Sequence, residues 1–293
     1  MIRQLNGQRL VIETGEDTFA PTPWTTALAE DTALASTYGK FFSELNNPMF
    51  QSLPYFLKQE GFKNPTDVTK SNWQFWKGTS DSFFQDVGNN PSLASHFHDA
   101  MKCHSKYNLT PWTDVYTDPI VEVAKPGRAL VVDIGGSKGH DLEKFRLRHP
   151  DIPEGSLVLQ DLPDIVADVK TDPVISVHPY DFFTPQPVKG ARIYFMHNVL
   201  HDWPDEVATK IIKNVAEGME KGYSKLLIHE SLISTLAPLA RVTTSDITMM
   251  ACLSAKERTE AEWRDLIKNA GLQVVKIWRP PQSVESVIEV ELA

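Results

Sequence analysis

The run Val132-Asp133-Ile134-Gly135-Gly136-Ser137-Lys138-Gly139-His140 constrains the fold more than any other part of the chain. An apolar stretch from Arg128 ends in an acid, meets clustered glycines, and passes into a helical pattern. Glycines let backbone approach a ligand closely, and the helix that follows offers its free N–H groups. The spacing is not G-x-G-x-x-G, which disfavours a nicotinamide dehydrogenase. Further short apolar runs at 157–159, 174–177, 193–196 and 225–228 read as buried strands. Helical patterns at about 140–148, 163–170, 204–221 and 259–270 fall between or after them. Such alternation predicts an α/β fold, a mostly parallel sheet covered on both faces. The segments 272–277 and 286–292, joined by Pro280-Pro281, read as two strands closing the sheet, one of them antiparallel.

Residues 1–118 lack this alternation and are expected to form a separate, helical domain, with 119–293 as the ligand-binding one. Residues 10–17 read as a short strand entering a turn, and Ala20-Pro21-Thr22-Pro23-Trp24 as a stiff extended stretch. Helices are expected at about 25–38, 49–60, 66–78 and 90–107. The dense aromatics here, from Phe41 to Phe84, read first as packing between helices.

Net charge is −9, and an acidic surface argues against a nucleic-acid or anionic-membrane partner. Two cysteines, Cys103 and Cys252, make no disulfide framework, and no apolar run nears membrane-spanning length. The expected location is cytoplasmic.

Chemistry concentrates at the ends of the expected strands. Asp133, Asp161 and Asp181 end three successive ones. An acid at the second tip is placed to accept hydrogen bonds from ribose hydroxyls, and Asp181-Phe182 suits an adenine edge and face. His201 follows the fourth strand, just before Trp203-Pro204 opens a helix. His229-Glu230 ends the fifth strand, and Lys256-Glu257-Arg258-Thr259 opens the next helix with Thr259 as its cap. No His/Cys cluster has zinc spacing, and no metal is expected.

With Asp133-Ile-Gly-Gly, Asp161-Leu-Pro, His201-Asp-Trp, Glu230 and Lys256-Glu-Arg-Thr in that order, the chain resembles plant and fungal small-molecule O-methyltransferases of the caffeic-acid type. The fungal branch, which serves secondary metabolism, looks nearer, through Gly139-His-Asp-Leu-Glu143 and Asp246-Ile-Thr-Met-Met250. The resemblance implies a Rossmann-like class I methyltransferase sheet behind a partial winged-helix, dimerisation and substrate-lid domain. It implies S-adenosyl-L-methionine as cofactor, S-adenosyl-L-homocysteine as product, and a homodimer. Asp133, Gly135, Gly136, Asp161 and Leu162 would hold the ribose and amino-acid parts of the cofactor, and Asp181 and Phe182 the adenine. His197 would contact it where plant relatives carry a lysine. His201 would be the general base, flanked by Glu230 and Glu257. Phe97, Met101, His104, Asp202, Met249 and Met250 would shape the pocket of a small aromatic substrate. Such enzymes carry roughly a hundred more residues ahead of the point matching Met1, so a weakened or altered dimer is expected.

The implied chemistry is an in-line displacement in which alignment matters most. A phenol, pKa near ~10, is mostly protonated at neutral pH, and a neutral histidine with pKa roughly 6.5 is expected to remove its proton. Two rival readings stand. One is a cofactor-binding relative that performs pericyclic or dehydration chemistry; the other is a scaffold that has lost turnover.

Overall fold

A computed structural model of the chain describes residues 1–108, 110–117, 119–122, 125–280 and 284–293, with every side chain among them except those of Ser105, Tyr107 and Asn108. They form two compact units: Met1–Lys63 with Asn72–Leu109, and Asn64–Ser71 with Thr110–Ala293. The expected boundary at Asp118 and the Pro281 half of the prolyl joint lie outside the described residues.

The first unit opens with a helix, Ile2–Gly7, and an antiparallel hairpin of β1 (Val11–Gly15) and β2 (Thr18–Pro21). Thr22 caps the helix Pro23–Glu30 in a reciprocal box with Thr25. The single helix expected over 25–38 is broken at Asp31. That residue is extended, and its carboxylate accepts from the N–H groups of Ala33 and Leu34 at 3.0 and 3.2 Å, starting a second helix, Thr32–Ser36. A π-helix, Thr37–Asn46, and the helix Asn47–Gln59 follow. The helix expected over 66–78 covers only Asn72–Lys77. Asp67 accepts from both the N–H and the hydroxyl of Thr69, a local turn that competes with helix. Phe83–Asn89 is a helix that periodicity did not reveal, capped by Ser82, and Pro91–Asn108 matches the last expected one. The aromatics pack as anticipated, with Trp73 and Phe97 each edge-on to Phe83 at 4.9 and 5.2 Å.

The second unit is built on one sheet. Its strands are β3 (Val131–Ile134), β4 (Leu157–Asp161), β5 (Ile175–Pro179), β6 (Ile193–His197), β7 (Lys225–Ile233), β8 (Arg258–Thr259), β9 (Leu272–Trp278) and β10 (Glu285–Leu292). The order is β5-β4-β3-β6-β7-β10-β9, with β8 paired to the tail of β7. The first five run parallel, and β10 lies antiparallel between β7 and β9. Alternate residues face opposite sides, as the two-residue period requires. Val132, Ile134, Tyr194, Met196, Leu226 and Ile228 meet the helices Asp205–Ala216 and Glu260–Asn269. Val131, Leu157, Leu159, Phe195 and Leu227 meet the helix His140–Arg148 and Trp112, whose ring stacks on Phe145 at 5.3 Å. The chain leaves β3 toward β4 on one side and returns to β6 on the other. The carboxyl ends of β3 and β6 therefore flank the topological switch point, where such sheets bind ligands.

Candidate active site

The glycine turn leaves β3 at this switch point. Gly135 has φ +74°, and a β-carbon there would lie 2.9 Å from Val199. At Gly136 a β-carbon would lie 2.5 Å from Asp133 Oδ2 and 2.6 Å from Leu159, so only glycine fits. Asp133 itself is fully buried beneath the turn, and its Oδ2 has no hydrogen-bond partner among the described residues. Burial, with Asp141 nearby, holds its carboxyl well above the usual range. Asp161 ends the neighbouring strand. It accepts from the N–H groups of Ser137 (2.8 Å) and Leu162 (2.7 Å), which aims it across the mouth of the turn. Leu162 is exposed beside it. Asp181, just past β5, is exposed and accepts from Phe183 N–H at 2.9 Å, while Phe182 packs half-buried against the core. The three acids thus share one rim, with Asp133 a step inside it. A close-approach turn, a buried orphaned carboxylate oxygen and two accessible acids fit a cationic ligand bearing a ribose and an adenine.

His201 sits in a 3-10 turn, Leu200–Asp202, that follows β6. Its Nδ1 lies 2.9 Å from Glu257 Oε1 and 3.6 Å from Glu230 Oε2, and Asp202 Oδ1 lies 3.5 Å from Nε2. An ionised carboxylate only accepts, so Nδ1 carries the proton and Nε2 is the nitrogen available to a substrate. The two glutamates do different work. Oε1 of Glu230 accepts from the backbone N–H groups of Val199, Leu200 and His201 at 3.2, 2.9 and 3.3 Å, holding the turn in place. Glu257 is set by the helix Ala240–Leu253: Ser245 Oγ donates to its carboxylate at 2.6 Å, and Asp246 accepts from its N–H at 2.9 Å. Thr259 caps the next helix as its position suggested, boxed with Glu262.

The electrostatics depart from the sequence expectation. An ordinary imidazole pKa was expected, yet His201 is held well above it. Burial works against its charge, but Glu230, Glu257 and Asp202 together outweigh burial. Burial pushes the carboxyl of half-buried Asp202 up to about 7, and it also raises that of Glu230. Glu257 is lowered: burial opposes its charge, but the partnership with His201 prevails.

Arg258 stands within the Lys256-Glu257-Arg258-Thr259 run, and its role emerges only in three dimensions. Its guanidinium is fully buried over the Trp263 ring at 5.0 Å. It donates to Leu200 O (2.9 Å), Trp203 O (2.7 Å) and Asp205 Oδ1 (2.8 Å), clamping the chain on both sides of His201. No spacing rule marks such a residue, since buried arginines are rare and two of the three partners here are backbone carbonyls.

The remaining sequence candidates divide between the units. Met249 and Met250 are half-buried on the Ala240–Leu253 helix, which packs against the His201 turn. Phe97, Met101 and His104 lie on the helix Pro91–Asn108 of the first unit, at spacings that share one face. Phe97 and His104 are half-buried, and Met101 is exposed. His197 ends β6 with both ring nitrogens facing carboxylates, Asp141 at 2.6 Å and Glu285 at 3.4 Å.

Residues 63–273 match the family described as O-methyltransferase domain. The O-methyltransferase mfmE of Annulohypoxylon moriforme is 38% identical over 296 residues, covering 100% of this chain and 72% of the relative. Among solved structures, LepI in complex with S-adenosylmethionine superposes with a TM-score of 0.86 at 28% identity, covering 100% of this chain and 75% of that one. Another, described as a pericyclic reaction enzyme, gives 0.85 at 28% identity with the same coverage.

Proposed function

The chain belongs to the O-methyltransferase family, and from that premise we propose that it methylates a hydroxyl group of a small aromatic molecule with His201 as general base. It is an S-adenosylmethionine-dependent O-methyltransferase. The cofactor, when bound, supplies an electrophilic methyl group and leaves as S-adenosyl-L-homocysteine. Asp161 and Leu162 would hold its ribose, the Gly135–Gly136 turn and Asp133 its amino-acid end, and Asp181 with Phe182 its adenine.

The observation that carries the assignment of the base is the 2.9 Å contact between His201 Nδ1 and Glu257. It leaves Nε2 to take the proton of a substrate hydroxyl as the oxygen acquires its methyl group. Glu257 then faces the imidazolium and stabilises its charge, while Glu230 and Arg258 keep the ring's backbone still. Asp202, beside Nε2, is placed to hydrogen-bond a second polar group of the substrate. The half-buried Met249 and Met250 suit a flat apolar ring. A homodimer through residues 1–118 and a cytoplasmic location belong to the same proposal. No helix among the described residues is long and apolar enough to cross a membrane.

Incubation with S-adenosylmethionine and a panel of phenols tests this reading. Stoichiometric S-adenosylhomocysteine and methylated product are expected, with turnover in His201→Ala at least ~10²-fold lower. Bound cofactor without product across the panel would sink it. The rival reading, pericyclic or dehydration chemistry with the cofactor retained, draws on the fold shared with the pericyclic enzyme. Isomerised or dehydrated product without S-adenosylhomocysteine would favour it.

A further inference from the structure

Behind the His201 turn, on the sheet face covered by the helix His140–Arg148, lies a second buried polar group. His197 Nδ1 is 2.6 Å from Asp141 Oδ2, and Nε2 is 3.4 Å from Glu285 Oε2. The other Glu285 oxygen accepts from Asn198 Nδ2 at 2.9 Å. Asn198 takes a left-handed backbone, φ +50°, and its N–H donates to His229 O at 3.1 Å. It is the residue at which the chain turns from β6 toward His201. Asp141 is the second residue of the helix that the glycine turn launches. Asp141, His197, Glu285 and Asn198 therefore form an unbroken polar path from the cofactor turn to the catalytic turn.

We propose that His197 is a positioning residue, not a cofactor contact: clasped between Asp141 and Glu285, it fixes the catalytic turn against the helix after the glycine turn. This rests on the methyltransferase reading of the site. Three observations support it. Both ring nitrogens already face carboxylates, so neither is left for an outside ligand. The two acids are 17% and 1% exposed and need a countercharge where water is scarce. Burial works against a charged ring, yet Asp141 and Glu285 lift His197 to about 10, while the histidine brings both acids down to about 2. Beneath it His229 is fully buried. Burial and the neighbouring His197 push its pKa down to about 3, so it is a neutral ring stacked on the cation at 4.3 Å. The further titratable groups that act on this cluster include Asp133 under the turn, Glu230, Glu257 and Lys144, which lies 3.7 Å from Asp141. His197, His229 and Glu285 are close enough together to suggest a metal site. The His229 ring is stacked on His197, tilted by 29°, and both His197 nitrogens already face Asp141 and Glu285, which favours an ion bridge.

The test uses the full chain and begins with a readout independent of turnover. In ¹⁵N-histidine spectra assigned against His197→Gln, His197 is expected as a doubly protonated ring at pH 7, unchanged on saturation with S-adenosylhomocysteine. A neutral ring, or one whose nitrogen shifts change on saturation as a direct contact requires, overturns the proposal, whatever becomes of the methyltransferase reading. Kinetically, His197→Gln is expected to lower kcat by about tenfold or more while the Kd for S-adenosylhomocysteine moves less than about threefold. The reverse split, weakened binding with kcat retained, also overturns it. Asp141→Asn carries the same expectation should His197→Gln fail to fold. The double variant should be no slower than either single, because both cut one bridge; multiplied losses would show separate roles and overturn it.

Discussion

A β-carbon on Gly135 would stand 2.9 Å from Val199 Cγ2, so the glycine turn after β3 and the His201 turn after β6 are packed against each other. Gly135 also holds φ +74°, a conformation costly for any side chain. Gly135→Ala meets both obstacles at once. It is expected to destabilise the protein by about 1–3 kcal/mol and to weaken S-adenosylhomocysteine binding by at least about tenfold. Adding Val199→Ala should relieve the contact but not the backbone strain, restoring only part of each loss. Calorimetric binding and thermal melts of the two variants check this; an unaltered Kd in Gly135→Ala would exclude the turn from the cofactor site.

The charge around His201 sets a pH dependence. Only the neutral ring accepts a proton, and Glu230, Glu257 and Asp202 hold the ring protonated to a pH well above its ordinary range. kcat/KM should therefore rise with pH through an acidic limb lying above about 6.5. In Glu257→Gln one of those negative charges is gone, so the limb should move to lower pH while the plateau rate falls. A limb that stays put in the variant would remove Glu257 from the base's surroundings.

What the sequence made legible follows from where each residue stands. Asp161 ends β4 and His201 follows β6. Glu230 does not end its strand as expected: it lies just past His229, the last residue of β7 paired with β6, and β7 runs on to Ile233. Parallel strands bring these positions to one rim. Thr243, Thr244, Ser245 and Thr248 have modest helix propensity, so the sequence pattern does not mark the helix Ala240–Leu253. In place, Thr243 and Thr244 donate to Ala240 O and Thr248 donates to Thr244 O, satisfying themselves within the helix. The elevated His201 pKa was equally hidden. It needs three carboxylates, two of them distant along the chain, enclosed around one ring. Arg258 was hidden for a related reason: two of its three partners, Leu200 O and Trp203 O, are backbone carbonyls, which every residue has.

Arg258 is expected to matter as much as residues nearer the chemistry. Arg258→Met keeps the length of the side chain but leaves Leu200 O and Trp203 O without their donor. Breaking a buried charged network of this kind costs about 3–5 kcal/mol, so the melting temperature should drop by roughly 6 °C or more. At a temperature where the variant is still folded, kcat should fall at least about tenfold with cofactor affinity little changed, since the clamp acts on the His201 turn. Normal turnover in a folded Arg258→Met protein would show that the turn holds without it.

The His197 bridge also predicts how stability varies with pH, and the signs differ for its members. His197 titrates near 10 when folded against about 6.5 when unfolded, so its contribution is complete below pH about 6.5 and is lost as pH rises through 10. Asp141 and Glu285 titrate near 2 when folded against about 4 when unfolded, so theirs is complete above pH about 4.5 and is lost as pH falls toward 2. The melting temperature should be greatest between these limits and decline from pH 6.5 to 10. His201, also raised, declines in the same direction, so the wild-type curve alone cannot isolate the bridge. The difference between wild type and His197→Gln can. The variant should melt several degrees lower at pH 6, and the gap should narrow steadily toward pH 10, where about half of the wild-type rings have lost their proton. A gap that stays constant across that range would mean that His197 stabilises by packing and not by charge.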